Sequence, residues 1–270
     1  MKMNTFMTAA AGMVLAFALT ACGGGGAGST ADPTTSAGAD NSSASAPAGE
    51  AGGSVGVSMP TQTTERWIAD GEAVKSQLEE AGFEVDLQFA NDDIPTQSQQ
   101  IDQMITQGVK VLVLAAIGGT ALAPQLETAA AAGIKIISYD RLIRDSENVD
   151  FYVSFDNFKV GVAQGQSLID GLAARGEGPF NIELFAGSLD DNNAFFFFNG
   201  AMSVIQPKID DGTFVVVSGQ TDIEQAATLR WQQETAQKRM EDLLTANYQG
   251  DAKVDGVLSA YDGLSRGIIT

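Results

Sequence analysis

Histidine is absent from all 270 residues, and cysteine occurs once, as Cys22. The first absence removes the commonest general base, the usual nitrogen ligand for metals and any Ser-His-Asp arrangement. The second rules out an intramolecular disulfide and, once Cys22 is committed elsewhere, leaves no thiol nucleophile. Basic residues are also scarce: 15 Lys and Arg stand against 34 Asp and Glu, a formal charge of −19. Nucleic acid and anionic membrane surfaces both need clustered Lys and Arg, so neither is expected as a partner. The adjacent carboxylates Asp92-Asp93 and Asp190-Asp191 read as solvated loop residues. The expectation is a chain that is not an enzyme and uses no cofactor and no metal.

What is present begins with an apolar run, Met13 to Leu19, closing on Leu19-Thr20-Ala21-Cys22 behind a lone cationic Lys2. It is far shorter than the roughly 20 apolar residues of a spanning helix, and reads as a signal peptide. The closing residues have lipobox chemistry, so residues 1–22 are expected to be a lipoprotein signal with Cys22 lipidated. That places the chain outside the cytoplasm, anchored by lipid to the outer face of the cell membrane. Residues 23–53 contain almost only Gly, Ala, Ser, Thr, Asp and Pro. With no large apolar side chain, such a segment cannot offset its ordering entropy and reads as a flexible tether.

From Ser54 onward short apolar runs alternate with amphipathic stretches. Strands are expected at 54–59, 83–89, 110–115, 134–138, 151–154, 180–185, 214–217 and 254–259. Helices are expected at 65–81, 96–107, 121–132, 159–174, 194–209 and 224–246. The runs LVLAA and IKIIS are continuously apolar, as in a parallel sheet buried on both faces. Strand–helix repetition with short loops predicts a doubly wound α/β fold, in two lobes at 54–156 and 157–270.

In such sheets ligands gather at the carboxyl ends of the strands. The loops there hold Arg66 and Trp67, Asp140 and Arg141, Asn192 and Asn193, and Tyr261 and Asp262. None has a glycine-rich phosphate cradle. Carboxylates, amides and guanidinium groups beside a flat ring suit a neutral polyol. Each residue also has a plainer reading. Trp67 could be core, Asp140 and Arg141 a local ion pair, and Asn192 and Asn193 helix caps. Phe195 to Phe198 read mainly as core, with at most one ring facing a cleft. Trp231, in a polar helical stretch, is balanced between packing and stacking on a ligand.

The segments SMPTQTTERW, YDRLI, FYVSFDNFKVG, GSLDDNNAFFFFNGAM and SAYDGLSRGII resemble periplasmic sugar-binding proteins of the xylose and multiple-sugar type, within the ribose-binding-like group. The resemblance runs from Ser54 to Thr270. It implies two Rossmann-like lobes of the type I periplasmic binding protein, which close on a monosaccharide such as xylose, glucose, galactose or arabinose. It implies a monomer that hands its ligand to an ABC transporter permease. A sensory module reporting occupancy to a membrane signalling protein is the alternative. By motif, Arg66, Trp67, Asp140, Arg141, Asn192 or Asn193, Trp231, Asp262 and Tyr261 would contact the sugar. Phe155-Asp156-Asn157 would be the first lobe crossing. The family's pattern continues well beyond SAYDGLSRGII, so the second lobe is expected to be incomplete.

Overall fold

The computed structural model describes residues 52–270; the signal segment, Cys22 and nearly all of the tether lie outside the described residues. Five parallel strands, β1 (Ser54–Met59), β2 (Glu84–Phe89), β3 (Val111–Leu114), β4 (Lys135–Tyr139) and β5 (Phe151–Val153), form one sheet in the order β2-β1-β3-β4-β5. This is a doubly wound order, and its reversal point between β1 and β3 opens a crevice at their carboxyl ends. Helices α1 (Glu65–Glu80), α2 (Ile94–Gln107) and α3 (Ala123–Ala131) connect the first four strands. Leu112, Leu114 and Ile136 are fully buried against α2 and α3, as expected of strands covered on both faces.

After β5 the chain enters α4 (Asn157–Ala173) and starts a second parallel sheet. It contains β6 (Phe180–Phe185), β7 (Phe214–Val216) and β8 (Gly256–Ser259), in the order β7-β6-β8. Relative to the chain this repeats the β2-β1-β3 start of the first sheet. The second sheet has its own core, centred on Ile182, Leu184 and Ile205. The architecture is the α/β fold in two lobes expected from the sequence.

Helix α4 packs against α5 (Asn192–Asp210) at unusually close range. A methyl group built on Gly161 would lie 2.1 Å from the Phe197 carbonyl oxygen, and one on Gly200 would lie 2.1 Å from that of Phe158. Both obstacles are backbone atoms, which cannot turn aside as a side chain would. Gly200→Ala should therefore force the helices apart and cost about 1–3 kcal/mol, the range for overpacking. At roughly 2–4 °C per kcal/mol for a protein of this size, the melting temperature should fall by several degrees. A thermal melt matching that of the wild type would show that the two helices slide freely.

One expected element is absent. The stretch 224–246 is a short α6 (Ile223–Ala226), a 3-10 turn at Leu229–Trp231, and α7 (Gln233–Asn247). The cause is tertiary. Ala226 accepts a hydrogen bond from the Ala186 amide (2.8 Å), and the Thr228 amide donates to the Gly187 carbonyl (3.1 Å). The segment bonds to the loop leaving β6 instead of closing its own helical turns. Arg230 and Trp231 both sit at φ 55°, a left-handed conformation that non-glycine residues keep only when their surroundings impose it. The chain then runs through β8 into α8 (Asp262–Ile269).

Candidate functional site

The loop leaving β1 leads into α1 with Trp67 in its first turn. Trp67 is 6% exposed and belongs to the core around Val57 and Met59. Its ring also carries two cations, with the Arg66 guanidinium 4.4 Å and that of Arg141 5.1 Å from the centroid. The indole is therefore both core and floor, holding two arginines where they can work.

Asp140 follows β4 directly, at φ 60°. Its Oδ2 accepts from Arg66 Nη2 at 2.6 Å, and its Oδ1 accepts from Asn193 Nδ2 at 3.1 Å. Arg141, 6% exposed, does not pair with its neighbour. Its Nη1 donates to the Ala116 carbonyl (3.2 Å) and its Nε meets Asp191 Oδ2 at 3.0 Å. The plain reading of Asp140 and Arg141 as a local surface pair is thus replaced by two bridges that leave the β4 loop. One runs to α1, the other to the second lobe.

Asp191, the N-cap of α5, is 3% exposed, which corrects its reading as a solvated loop carboxylate. Its Oδ1 accepts from the Asn193 amide (3.0 Å) and its Oδ2 from Trp231 Nε1 (3.1 Å). Burial pushes the Asp191 carboxyl above its ordinary range, while Arg141 and these N–H donors pull the other way. Asn193 is buried too, and its Oδ1 accepts from Asn157 Nδ2 at 2.8 Å. Asp190 is bound by Arg230, whose amide donates to Ser188 Oγ at 2.8 Å.

Trp231 is 8% exposed and stands against the loop leaving β6, where a methyl group on Gly187 would lie 2.0 Å from its ring. Only glycine fits there. Phe197 and Tyr261 meet the indole edge-on, with centroids 6.1 Å and 6.2 Å away. The Trp231 ring is packed in the core and also lines the cleft. Of the four phenylalanines, Phe197 faces the cleft while Phe198 is core.

One cleft therefore brings together Arg66, Trp67, Asp140, Arg141, Asn193, Trp231 and Tyr261. Two of the residues expected there stand outside it. Asn192 opens α5 one position before Asn193 and is turned away from the lining. Asp262 lines an adjoining hollow with Glu65 and Arg266. Sequence reading missed Asp191 and Arg230, which complete the charge pairs, and Thr64 and Gln164, which also line the cleft. Asp191 carried one usable signal, an Asp directly before a helix start, where capping rather than solvation is common. Arg230 carried none, because only the broken helix turns it inward.

The family described as a periplasmic binding protein domain matches residues 55–270. The multiple sugar-binding periplasmic receptor ChvE of Rhizobium radiobacter is 58% identical over 219 residues, covering 81% of this chain and 62% of that protein. The D-xylose-binding periplasmic protein of Escherichia coli is 38% identical over 215 residues, covering 80% and 61%. An ABC transporter solute binding protein from Clostridium phytofermentans, solved with β-D-glucose bound, is 45% identical with a TM-score of 0.77, covering 80% and 67%. The chain thus spans about six-tenths of the length of the curated relatives it matches.

Proposed function

Since the chain belongs to the periplasmic binding protein domain family, we propose that it captures a monosaccharide of the glucose or xylose class between its two lobes. The observation that carries this reading is the charge pairing of the cleft. Arg66 meets Asp140, Arg141 meets Asp191, and Arg230 meets Asp190. Each guanidinium has a carboxylate of its own, so these pairs present planar donors and acceptors with their charge already balanced. An anionic or cationic ligand would find its counter-charge occupied. A neutral polyol can accept from the arginines and donate to the carboxylates together. The edge-on rings of Phe197, Trp231 and Tyr261 supply an apolar wall for C–H faces.

The relatives support this ligand class: one is a multiple sugar-binding receptor, another binds D-xylose, and a third was solved with β-D-glucose bound. Under this reading the protein is a binder, not an enzyme, and an ABC transporter permease is its partner. Lobe residues 54–156 and 157–270 close on the ligand. Lipidated Cys22 holds the protein at the outer face of the membrane, and the tether of residues 23–53 lets the lobes reach the permease.

Calorimetry with xylose, glucose, galactose and arabinose tests the ligand class. At least one should release heat with a simple one-site isotherm. If none binds while another class of solute does, the sugar assignment is wrong.

A further inference from the structure

The charge pairs have partners within the protein, but two other residues of the cleft wall each carry a side-chain oxygen that has none. Among the described residues, five side-chain oxygens are shut off from solvent with no hydrogen-bond partner, and two of them are Thr64 Oγ1 and Gln164 Oε1. Both residues line the cleft. They come from opposite lobes: Thr64 precedes α1, and Gln164 lies on α4.

The orientation of the Gln164 amide follows from its surroundings. Its nitrogen donates to the Ala260 carbonyl at 3.1 Å. A carbonyl can only accept, so the amide nitrogen must face Ala260 and the amide oxygen is left without a donor. Thr64 is the N-cap of α1, a place where a hydroxyl ordinarily accepts from a backbone amide in the first turn. Here the side chain makes no such bond. Its hydroxyl can both donate and accept, and it does neither within the protein.

Buried polar atoms without partners are rare because each forfeits its hydration with nothing in return. Where they line a cleft, a ligand is the natural partner. We infer that Gln164 Oε1 accepts a hydrogen bond from one ligand hydroxyl and that Thr64 Oγ1 bonds a ligand hydroxyl from the facing lobe. Both are specificity-determining contacts formed only when the cleft is occupied. Gln164 selects by what it lacks: an amide oxygen demands a donor, so the ligand must carry a free hydroxyl at that carbon. A deoxy, O-methyl or carboxylate group there leaves the acceptor unpaired. This inference rests on the monosaccharide reading and deepens it.

The test measures affinity for the tightest-binding aldose and for its monodeoxy analogues, each lacking one hydroxyl. Wild-type protein is compared with Gln164→Met, which keeps the length of the side chain, and with Thr64→Val, which keeps its shape. Each variant should bind the parent sugar about tenfold more weakly, as for one lost buried hydrogen bond. Each should also erase the penalty for one particular deoxy analogue while preserving the others. General loosening of the cleft cannot produce that pattern, because it weakens every sugar alike. Thr64→Val should melt like the wild type, since the hydroxyl bonds nothing in the empty protein.

A variant that keeps wild-type affinity, or that loses affinity with every deoxy penalty intact, overturns the assignment of that residue alone. Failure of the wild type to bind any aldose is a separate result, which defeats the monosaccharide reading and this inference together.

Discussion

Asp140→Ala is expected to weaken monosaccharide binding by roughly 30- to 1000-fold, while Asp156→Ala leaves affinity unchanged. The first substitution removes the acceptor for Arg66 Nη2 and for Asn193 Nδ2. Truncating one member of a hydrogen-bonded charge pair costs about 2–4 kcal/mol when the partner stays in place unpaired, and about 1.4 kcal/mol is tenfold in affinity. The loss should be in binding more than in fold, because Arg66 is still 40% exposed and has Asp70 within 3.2 Å. Asp140→Asn should fall between alanine and wild type. Asparagine tolerates the left-handed backbone at φ 60° and keeps one acceptor oxygen. Asp156 caps α4 from an exposed position and accepts from the Lys159 amide at 3.2 Å. It lies outside the cleft lining, so its removal touches a helix end and not the ligand. Titration calorimetry on the three variants decides the point, and equal losses for Asp140→Ala and Asp156→Ala would mean the cleft has been misplaced.

A second large effect should appear in stability. Asp191 and Arg141 form the one strongly buried ion pair among the described residues, with side chains only 3% and 8% exposed. It joins the loop after β4 to the start of α5, and so ties one lobe to the other. Asp191→Ala leaves Arg141 as an uncompensated buried charge, a change that costs about 3–5 kcal/mol. The same substitution strips the N-cap from α5 and the acceptor from Trp231 Nε1. At roughly 2–4 °C per kcal/mol, the melting temperature should drop by about 6–20 °C. Adding Arg141→Met should restore much of the loss, since the stranded charge is then gone as well. If Asp191→Ala melts as the wild type does, the two lobes are not held by this pair. If the double variant is no better than the single one, the cap and the indole bond, not the charge, carry the cost.

Some parts of this molecule were readable one segment at a time. The strands Ser54–Met59 and Phe180–Phe185 stand where the apolar runs placed them, because a run buried on both faces announces itself locally. Arg66, Trp67, Asp140 and Arg141 were legible because the carboxyl end of a parallel strand is a defined place, and residue type there carries chemical meaning.

The rest depended on what the distant chain brings alongside. Nothing in 224–246 separates a continuous helix from a broken one. The break exists because Ala186 and Gly187, some forty residues earlier, offer backbone partners and the space that the Trp231 ring fills. Asn192 and Asn193 look alike in sequence, yet neighbouring side chains on a helix point about 100° apart. Only the docking of α5 chose the second to meet Asp140. Asp190 and Asp191 form an ordinary acidic pair until Arg230 and Arg141 arrive from two different directions, pairing with both and removing the water from Asp191. Residue types, helix ends and alternating strands are local properties, set by each segment's own hydrophobicity and backbone preference. Burial, the choice of ionic partner and the side on which a helix is lined are pairwise properties, and these came into being only when the two lobes met.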